Sequence, residues 1–292
     1  MAKLDFSQKY DVKTDDEIGE LGKTINDLSQ QLNRKIVELN EANEKLKADI
    51  EKEKKIDAMR KEFISSVSHE LKTPIALIQG YAEGLKDNIV TEEEDKNFYC
   101  EVISDETEKM EKLVKGLLTL SQIESGSVNL ENKIFNIVHL VEKIVNKYKP
   151  ILKNKNINLI IEHDDKELNV KADRSKIEQV LVNFINNAIN HIDENGKLKI
   201  GLKDGQEKIR VSVCNTGSHI PKEEMDRIWD SFYKIDKSRA REYGGTGLGL
   251  SIVKGILELH NNAFGVLNKN EVLNFGLNCI KYDRMNIIVM CF

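Results

Sequence analysis

Ser68-His69-Glu70-Leu71-Lys72-Thr73-Pro74, read together with Gly245-Thr246-Gly247-Leu248-Gly249-Leu250 far downstream, decides what kind of chain this is. The first stretch sets a histidine beside a carboxylate on a helical pattern whose apolar residues Phe63, Val67 and Leu71 recur every four positions. The second is a glycine loop running into an apolar helix. There backbone amides can approach a phosphate, and the helix dipole favours an anion. Together they suggest phosphoryl transfer from a nucleotide to His69.

Upstream of His69, residues 18–56 contain no proline and two glycines, both near the start. Ile18, Leu21, Ile25, Leu28 and Leu32 follow heptad-like steps of three and four, which suggest a coiled-coil seam. Ile36 follows by a second step of four, a stutter that locally unwinds the supercoil, and the seam resumes through Leu39, Leu46 and Ile50. The helix is expected to reach Leu85. Asp87–Asp95 reads as a loop, and a second helix is expected from Asn97 to Ile123, stopped by Ser125-Gly126-Ser127. Its apolar face is Val102, Ile103, Met110, Leu113, Leu117, Leu118 and Leu120. Two such stripes cannot enclose a core, so a four-helix bundle made by a homodimer is expected.

After Gly126 the pattern changes. Phe135–Tyr148 reads as an amphipathic helix ending before Pro150. Ile157–Ile161 and Leu168–Val170 read as strands, and Arg174–Ile189 as a helix. Leu198–Leu202 and Ile209–Val213 alternate as a hairpin with Asp204-Gly205 as its turn, and Leu248–Leu259 is a further helix. The fold class is therefore α+β and multidomain: a helical coiled coil and dimeric bundle, then an α/β sandwich.

A chain of 292 residues is long enough for two or three such units. A net charge of −5 without a basic block argues against a nucleic-acid surface. Cys100, Cys214, Cys279 and Cys291 are far apart, fit no zinc or disulfide spacing, and read as reduced thiols. There is no signal-peptide pattern and no apolar run long enough to span a bilayer.

Five patterns carry chemistry. Glu70 can accept a proton from the imidazole or fix its tautomer, though neighbouring helical positions face each other only in particular rotamers. Pro74 cannot donate to the carbonyl of Glu70, so a bend is expected beside His69. Lys72 and Thr73 add a cation and a hydroxyl. Asn183 and Asn187 are i, i+4 on one helix face, where carboxamide oxygens can meet Mg²⁺ and amide groups can reach phosphate. Val213-Cys214-Asn215-Thr216-Gly217-Ser218 ends a strand on a polar residue and a glycine. Trp229-Asp230-Ser231-Phe232-Tyr233-Lys234, followed by a basic stretch to Tyr243, reads as the base of a lid. The glycines 245, 247 and 249 close the set. Singly, each has a plainer reading: a solvent-facing histidine, an Asn-rich helix face, a turn, a surface loop.

Together, in this order, the five closely resemble the motifs of the sensor histidine kinases of two-component systems, from about Asp15 to Leu267. Ser68–Pro74 looks like the H box, Asn183–Ala188 the N box, and Asn215–Gly217 the first glycine box. Trp229–Tyr233 looks like the F box and Gly245–Leu250 the second glycine box. Asp16-Glu17-Ile18-Gly19-Glu20-Leu21 resembles the second helix of a HAMP linker. The resemblance implies the end of a HAMP linker and a signalling helix over 1–40. A dimerisation and phospho-acceptor hairpin follows over 41–126, and an ATP-binding domain of the GHKL (Bergerat) type over 127–292.

It also implies roles. His69 is the phospho-acceptor, Glu70 its acid/base partner, and Thr73 a support for dephosphorylating the partner. Asn183 and Asn187 hold Mg²⁺–ATP, while Asn190, Asn215, Gly217, Phe232, Tyr233, Lys234, Gly245, Thr246, Gly247, Leu248 and Gly249 line the nucleotide site. The implied partner is a response regulator, of the winged-helix class, with no direct contact to nucleic acid. The chain would be the cytoplasmic fragment of an inner or plasma membrane receptor, tied to the membrane by an upstream transmembrane segment.

Three positions depart from the family pattern. Asn215 stands where an Asp usually reads the adenine amino group; its carbonyl oxygen can accept the same bond, so adenine selectivity should survive, more weakly. Asn190 stands where a Lys is common, with Lys234, Lys237, Arg239 or Arg241 to compensate. After about 268 the tail does not look like the family's final strand, and a frameshift near Lys269–Glu271 would account for it. Two other classes compete: an ATPase of the gyrase/Hsp90/mismatch-repair superfamily, which lacks the upstream hairpin, and a signalling scaffold with a decayed pocket.

Overall fold

The first helix, α1 (Glu17–Lys86), starts where the Asp16 carboxylate accepts the Gly19 N–H at 3.1 Å, with Glu17 and Glu20 placing negative charge in the first turn. The computed structural model describes residue 11 and residues 16–164, 167–193, 195–217, 219–235, 245–269 and 272–281. Asp15, Ser218, Lys237, Arg239, Arg241, Tyr243, Glu271 and Cys291 lie outside the described residues. The chain divides into two units, Met1–Ser65 and Ser66–Phe292. In the first, the seam residues Ile18, Leu21, Ile25, Leu28 and Leu32 are 45–64% exposed, so a single chain leaves the seam open to water.

The second unit begins with the hairpin. α1 stays helical through Pro74, which is buried; losing one intrahelical bond does not end a helix supported on both sides. It stops at Lys86, where Asn88 takes a left-handed φ of 53° and the Ile89 N–H returns to the Gly84 carbonyl. The loop is shorter than expected. α2 runs Glu93–Glu124, starting four residues before Asn97 because Glu93, Glu94 and Asp95 suit a helix N-terminus. Tyr81, Phe98 and Tyr99 meet edge-to-face at this end, and a side chain at Gly84 would put Cβ 2.8 Å from the Tyr99 ring.

Beyond the hairpin, β1 (Asn132–Asn136) pairs antiparallel with β3 (Asn169–Asp173). Phe135 is therefore in a strand rather than in a helix. Asn136 ends that strand and caps α3 (Ile137–Asn154), accepting the N–H groups of Val138 and His139. α3 passes through Pro150 instead of ending before it. The proline leaves the carbonyl of exposed Asn146 to water, while Leu152 continues the buried stripe Val138, Val141 and Val145.

The main sheet has the order β2-β4-β5-β7-β6, with β2 (Asn158–His163) parallel to β4 (Lys197–Asp204). β5 (Lys208–Thr216), β7 (Val272–Ile280) and β6 (Phe264–Lys269) continue it antiparallel. Alternate residues Leu198, Ile200, Leu202, Ile209, Val211 and Val213 are buried, and Phe184 of α4 (Arg174–His191) stacks on Phe275 of β7 at 5.4 Å between centroids. The β4–β5 turn differs from expectation. Asp204 still pairs with Ile209, the Gly205 N–H donates to the Lys208 carbonyl, and the tip is Gln206-Glu207.

The tail also differs. Leu273, Phe275, Leu277 and Cys279 alternate and are buried in β7 between β5 and β6. Burial pushes the Cys279 thiol up to about 12, and Cys100, Cys214 and Cys279 are free thiols.

α5 (Gly249–Leu259) carries Leu248 as its N-cap and packs on α4 and on α2. Gly255 brings α5 against Ile123 of α2, and Gly116 brings α2 against Leu248, where an added Cβ would lie 2.6 and 3.1 Å away respectively. At the other end of α5, His260 Nδ1 faces the Ile256 carbonyl at 2.8 Å, while Nε2 accepts the Asp173 N–H at 3.1 Å. Asp173 in turn accepts from the Ser175 hydroxyl, Ser175 N–H and Lys176 N–H at the start of α4, and from the Glu131 N–H. Burial pushes its carboxyl up, but these hydrogen bonds, Ser175 first, hold it below its ordinary value of 3.8.

A depressed pKa gives stability that is present above the unfolded value and lost as pH falls through the folded one. Asp173→Asn should therefore cost about 1 kcal/mol at neutral pH. In thermal melts the variant and the parent chain should converge below the carboxylate range. An equal gap at every pH would remove charge from the account.

Candidate functional site

Glycine contacts gather the separate motifs. Gly217 ends β5 with φ 139°, and a Cβ there would overlap the carbonyl oxygen of His191. The backbone bridge between Ile192 and Gly217 brings the C-terminal end of α4 beside the end of β5. Asn183, Asn187 and Asn190 lie along one face of α4, all half-buried, and a Cβ on Gly249 would sit 3.6 Å from Asn183 Oδ1. The first of those asparagines is thereby at the N-terminus of α5. Gly247, at φ 72°, accepts the Phe232 N–H on its carbonyl at 2.9 Å; a Cβ there would lie 2.7 Å from Phe232 Cα. Phe232 itself has φ 65°, a strained conformation for an aromatic residue.

Asn215 lies beside Gly217, where an added Cβ would sit 3.6 Å from its Nδ2, and is 1% exposed. Its Nδ2 donates to the Thr216 carbonyl at 3.1 Å, while its Oδ1 is buried with no hydrogen-bond partner. A buried acceptor left without a donor is costly unless a ligand supplies one. Tyr233 carries Arg227 over its ring at 4.5 Å, and the Thr246 hydroxyl accepts the Leu248 N–H at 3.4 Å. Gly245 is exposed. The Leu248 side chain is buried beside Gly116 of α2.

His69 is exposed on α1, and the Thr73 hydroxyl, also exposed, donates to the His69 carbonyl at 3.4 Å. Glu70 makes no hydrogen bond to His69 among the described residues. Its Oε1 accepts from Lys234 Nζ at 3.0 Å, across 164 positions of chain. The sequence carries no signal for that pairing, nor for the Tyr148 hydroxyl donating to Asn186 at 2.8 Å, which occupies an exposed asparagine of the N box.

Comparison with known proteins agrees with this arrangement. Residues 172–276 match the family described as histidine kinase-, DNA gyrase B- and HSP90-like ATPase. Residues 59–126 match the His Kinase A (phospho-acceptor) domain, and residues 1–34 the HAMP domain. The class is thus a helical phospho-acceptor domain placed ahead of an ATPase domain of the GHKL type. The chain is similar to the sensor histidine kinase WalK of Bacillus subtilis, 33% identical over 234 residues that cover 78% of this chain and 38% of WalK. Among solved structures it is similar to the histidine kinase ThkA in complex with the response regulator protein TrrA: 31% identity, TM-score 0.63, covering 76% of this chain and 61% of that one. The Acinetobacter baumannii histidine kinase AdeS is 26% identical with a TM-score of 0.62, over 74% of this chain and 98% of that one. This chain belongs to the sensor histidine kinases of two-component systems. It spans less than two fifths of the length of WalK.

Gly247→Ala should separate Phe232 from the glycine loop, because the clash is with backbone and the φ is left-handed. Hydrogen exchange at the Phe232 amide should quicken by about tenfold or more. Unchanged exchange would mean the two segments are held together by other contacts.

Proposed function

We propose that the chain is an ATP-dependent protein-histidine kinase that phosphorylates His69 and passes the phosphoryl group to an aspartate of a response regulator. The observation that carries this reading is the buried Asn215 Oδ1, a fixed acceptor lacking a donor, in a ring built from the N box, both glycine boxes and the F box. The adenine amino group is a donor of the required kind. Because Nδ2 is held by the Thr216 carbonyl, Asn215 is oriented as an acceptor toward the base, doing the work of the usual Asp without its charge.

The N-terminus of α5, with Gly245, Thr246, Gly247 and Gly249 leading into it, offers backbone N–H groups to the phosphates. Asn183 and Asn187 present carboxamide oxygens of the hard type that suits Mg²⁺, with Asn190 one turn on. When bound, the ion neutralises phosphate charge, as phosphoryl transfer requires. The imidazole nitrogen of His69 attacks the γ-phosphorus, the bond to the β–γ bridging oxygen breaks, and ADP leaves with those electrons. The proton on the other ring nitrogen passes to Glu70. Thr73 is assigned to the reverse duty, orienting water for hydrolysis of the regulator's aspartyl phosphate.

A homodimer closing the four-helix bundle is supported by the exposed apolar residues Ile64, Ile75, Leu77, Val114 and Leu118 of the hairpin. The regulator is assigned to the winged-helix class. Among the described residues no helix is long and apolar enough to cross a membrane. The HAMP match supports the cytoplasmic part of a membrane receptor, divided at about residues 40 and 126 as the motifs suggest.

Incubation with γ-labelled ATP should give an acid-labile, base-stable label. His69→Gln should abolish it while leaving nucleotide affinity within about twofold, because His69 is on α1, outside the ring of nucleotide motifs. A label that survives in the variant would move the phospho-acceptor elsewhere. Thr73→Ala should keep autophosphorylation but slow the decay of the phosphorylated regulator about tenfold or more; equal decay would leave Thr73 as an ordinary helix-surface residue.

A further inference from the structure

Glu70 and Lys234 are each assigned a duty elsewhere, Glu70 to the imidazole of His69 and Lys234 to nucleotide phosphate, yet here they hold each other. The N–O distance is 3.0 Å, with Lys234 16% and Glu70 33% exposed, so the pair is shielded enough to resist screening. Lys234 lies two residues beyond Phe232, whose N–H is bonded to Gly247 of the glycine loop. Arg227, two residues before the Trp229–Tyr233 motif, is placed over the Tyr233 ring and beside Glu224 at 3.9 Å. The segment that carries Lys234 is therefore fixed at one end to the phosphate loop, while its cation reaches the residue next to His69.

We propose that Lys234 is a cation shared between the phospho-acceptor helix and the nucleotide site: phosphate must take it from Glu70 in order to bind, and in doing so releases Glu70 to serve His69. This rests on the ATP-binding reading given above. While paired, the Glu70 carboxylate is turned to Lys234 rather than to His69. Once polyphosphate supplies the competing anion, the carboxylate is free to accept the imidazole proton. The coupling is reciprocal, so Glu70 must weaken nucleotide binding by the factor by which nucleotide weakens the ion pair. Lys234 is in this sense a positioning residue for Glu70 as well as a phosphate ligand.

Calorimetric titration of the whole chain with Mg²⁺ and the non-hydrolysable analogue AMP-PNP tests this without turnover. Glu70→Gln should tighten binding by about fivefold, the size expected for a partly exposed ion pair. Lys234→Met should weaken binding, and in that background Glu70→Gln should change nothing. Lys234→Arg keeps the cation, and with it the effect of Glu70→Gln should return. The inference is overturned if Glu70→Gln leaves affinity unchanged, or if it tightens binding equally without Lys234, which would reduce Glu70 to a distant repulsive charge. Absence of analogue binding by the parent chain would instead overturn the ATP-site reading itself, and the shared cation with it.

Discussion

At Gly247 a side chain would come within 2.7 Å of the Phe232 backbone, and at Gly217 it would overlap the carbonyl of His191. Both residues hold positive φ, where an added Cβ is strained whatever the space available. These two close approaches, with Asn183 beside Gly249, are what make one site out of segments spread over more than sixty residues. The sheet and its helices supply a platform, but the ring of motifs closes only because the backbone can touch backbone at those points.

The helical hairpin meets that ring by two contacts of different kind. Packing of α2 against α5, through Gly116 beside Leu248 and Gly255 beside Ile123, is apolar and depends on the small size of those two glycines. The Glu70–Lys234 pair is electrostatic. In the exchange proposed above, the hydrophobic seat would hold the helices together while the ion pair changed partners.

Much of this was legible in the residues. The long helices, the α4 stripe and the order of the five motifs could all be read because periodicity and glycine placement are local signals. Element ends were less legible where tertiary contacts outweighed propensity. Pro150 should have stopped α3, but Leu152 had a core to reach. Phe135 begins an apolar pattern of helical period, while the partner of its strand, β3, lies far along the chain. The alternation of Leu273, Phe275, Leu277 and Cys279 is present in the tail, but Asn274, Gly276 and Asn278 between them lack the β-propensity that marks a strand. The pairing of Glu70 with Lys234 joins residues 164 positions apart and has no local signature at all.

In the proposed homodimer, the open seam of Ile18, Leu21, Ile25, Leu28 and Leu32 sets the N-terminal helix and the sandwich apart in how they respond to dilution. The sandwich carries its own buried core, so its melting should not depend on protein concentration. A helix whose apolar stripe is covered only by a second chain gains stability by mass action, so its melting temperature should climb as the protein is concentrated. The same molecule would then show two thermal transitions that draw apart or merge with concentration alone.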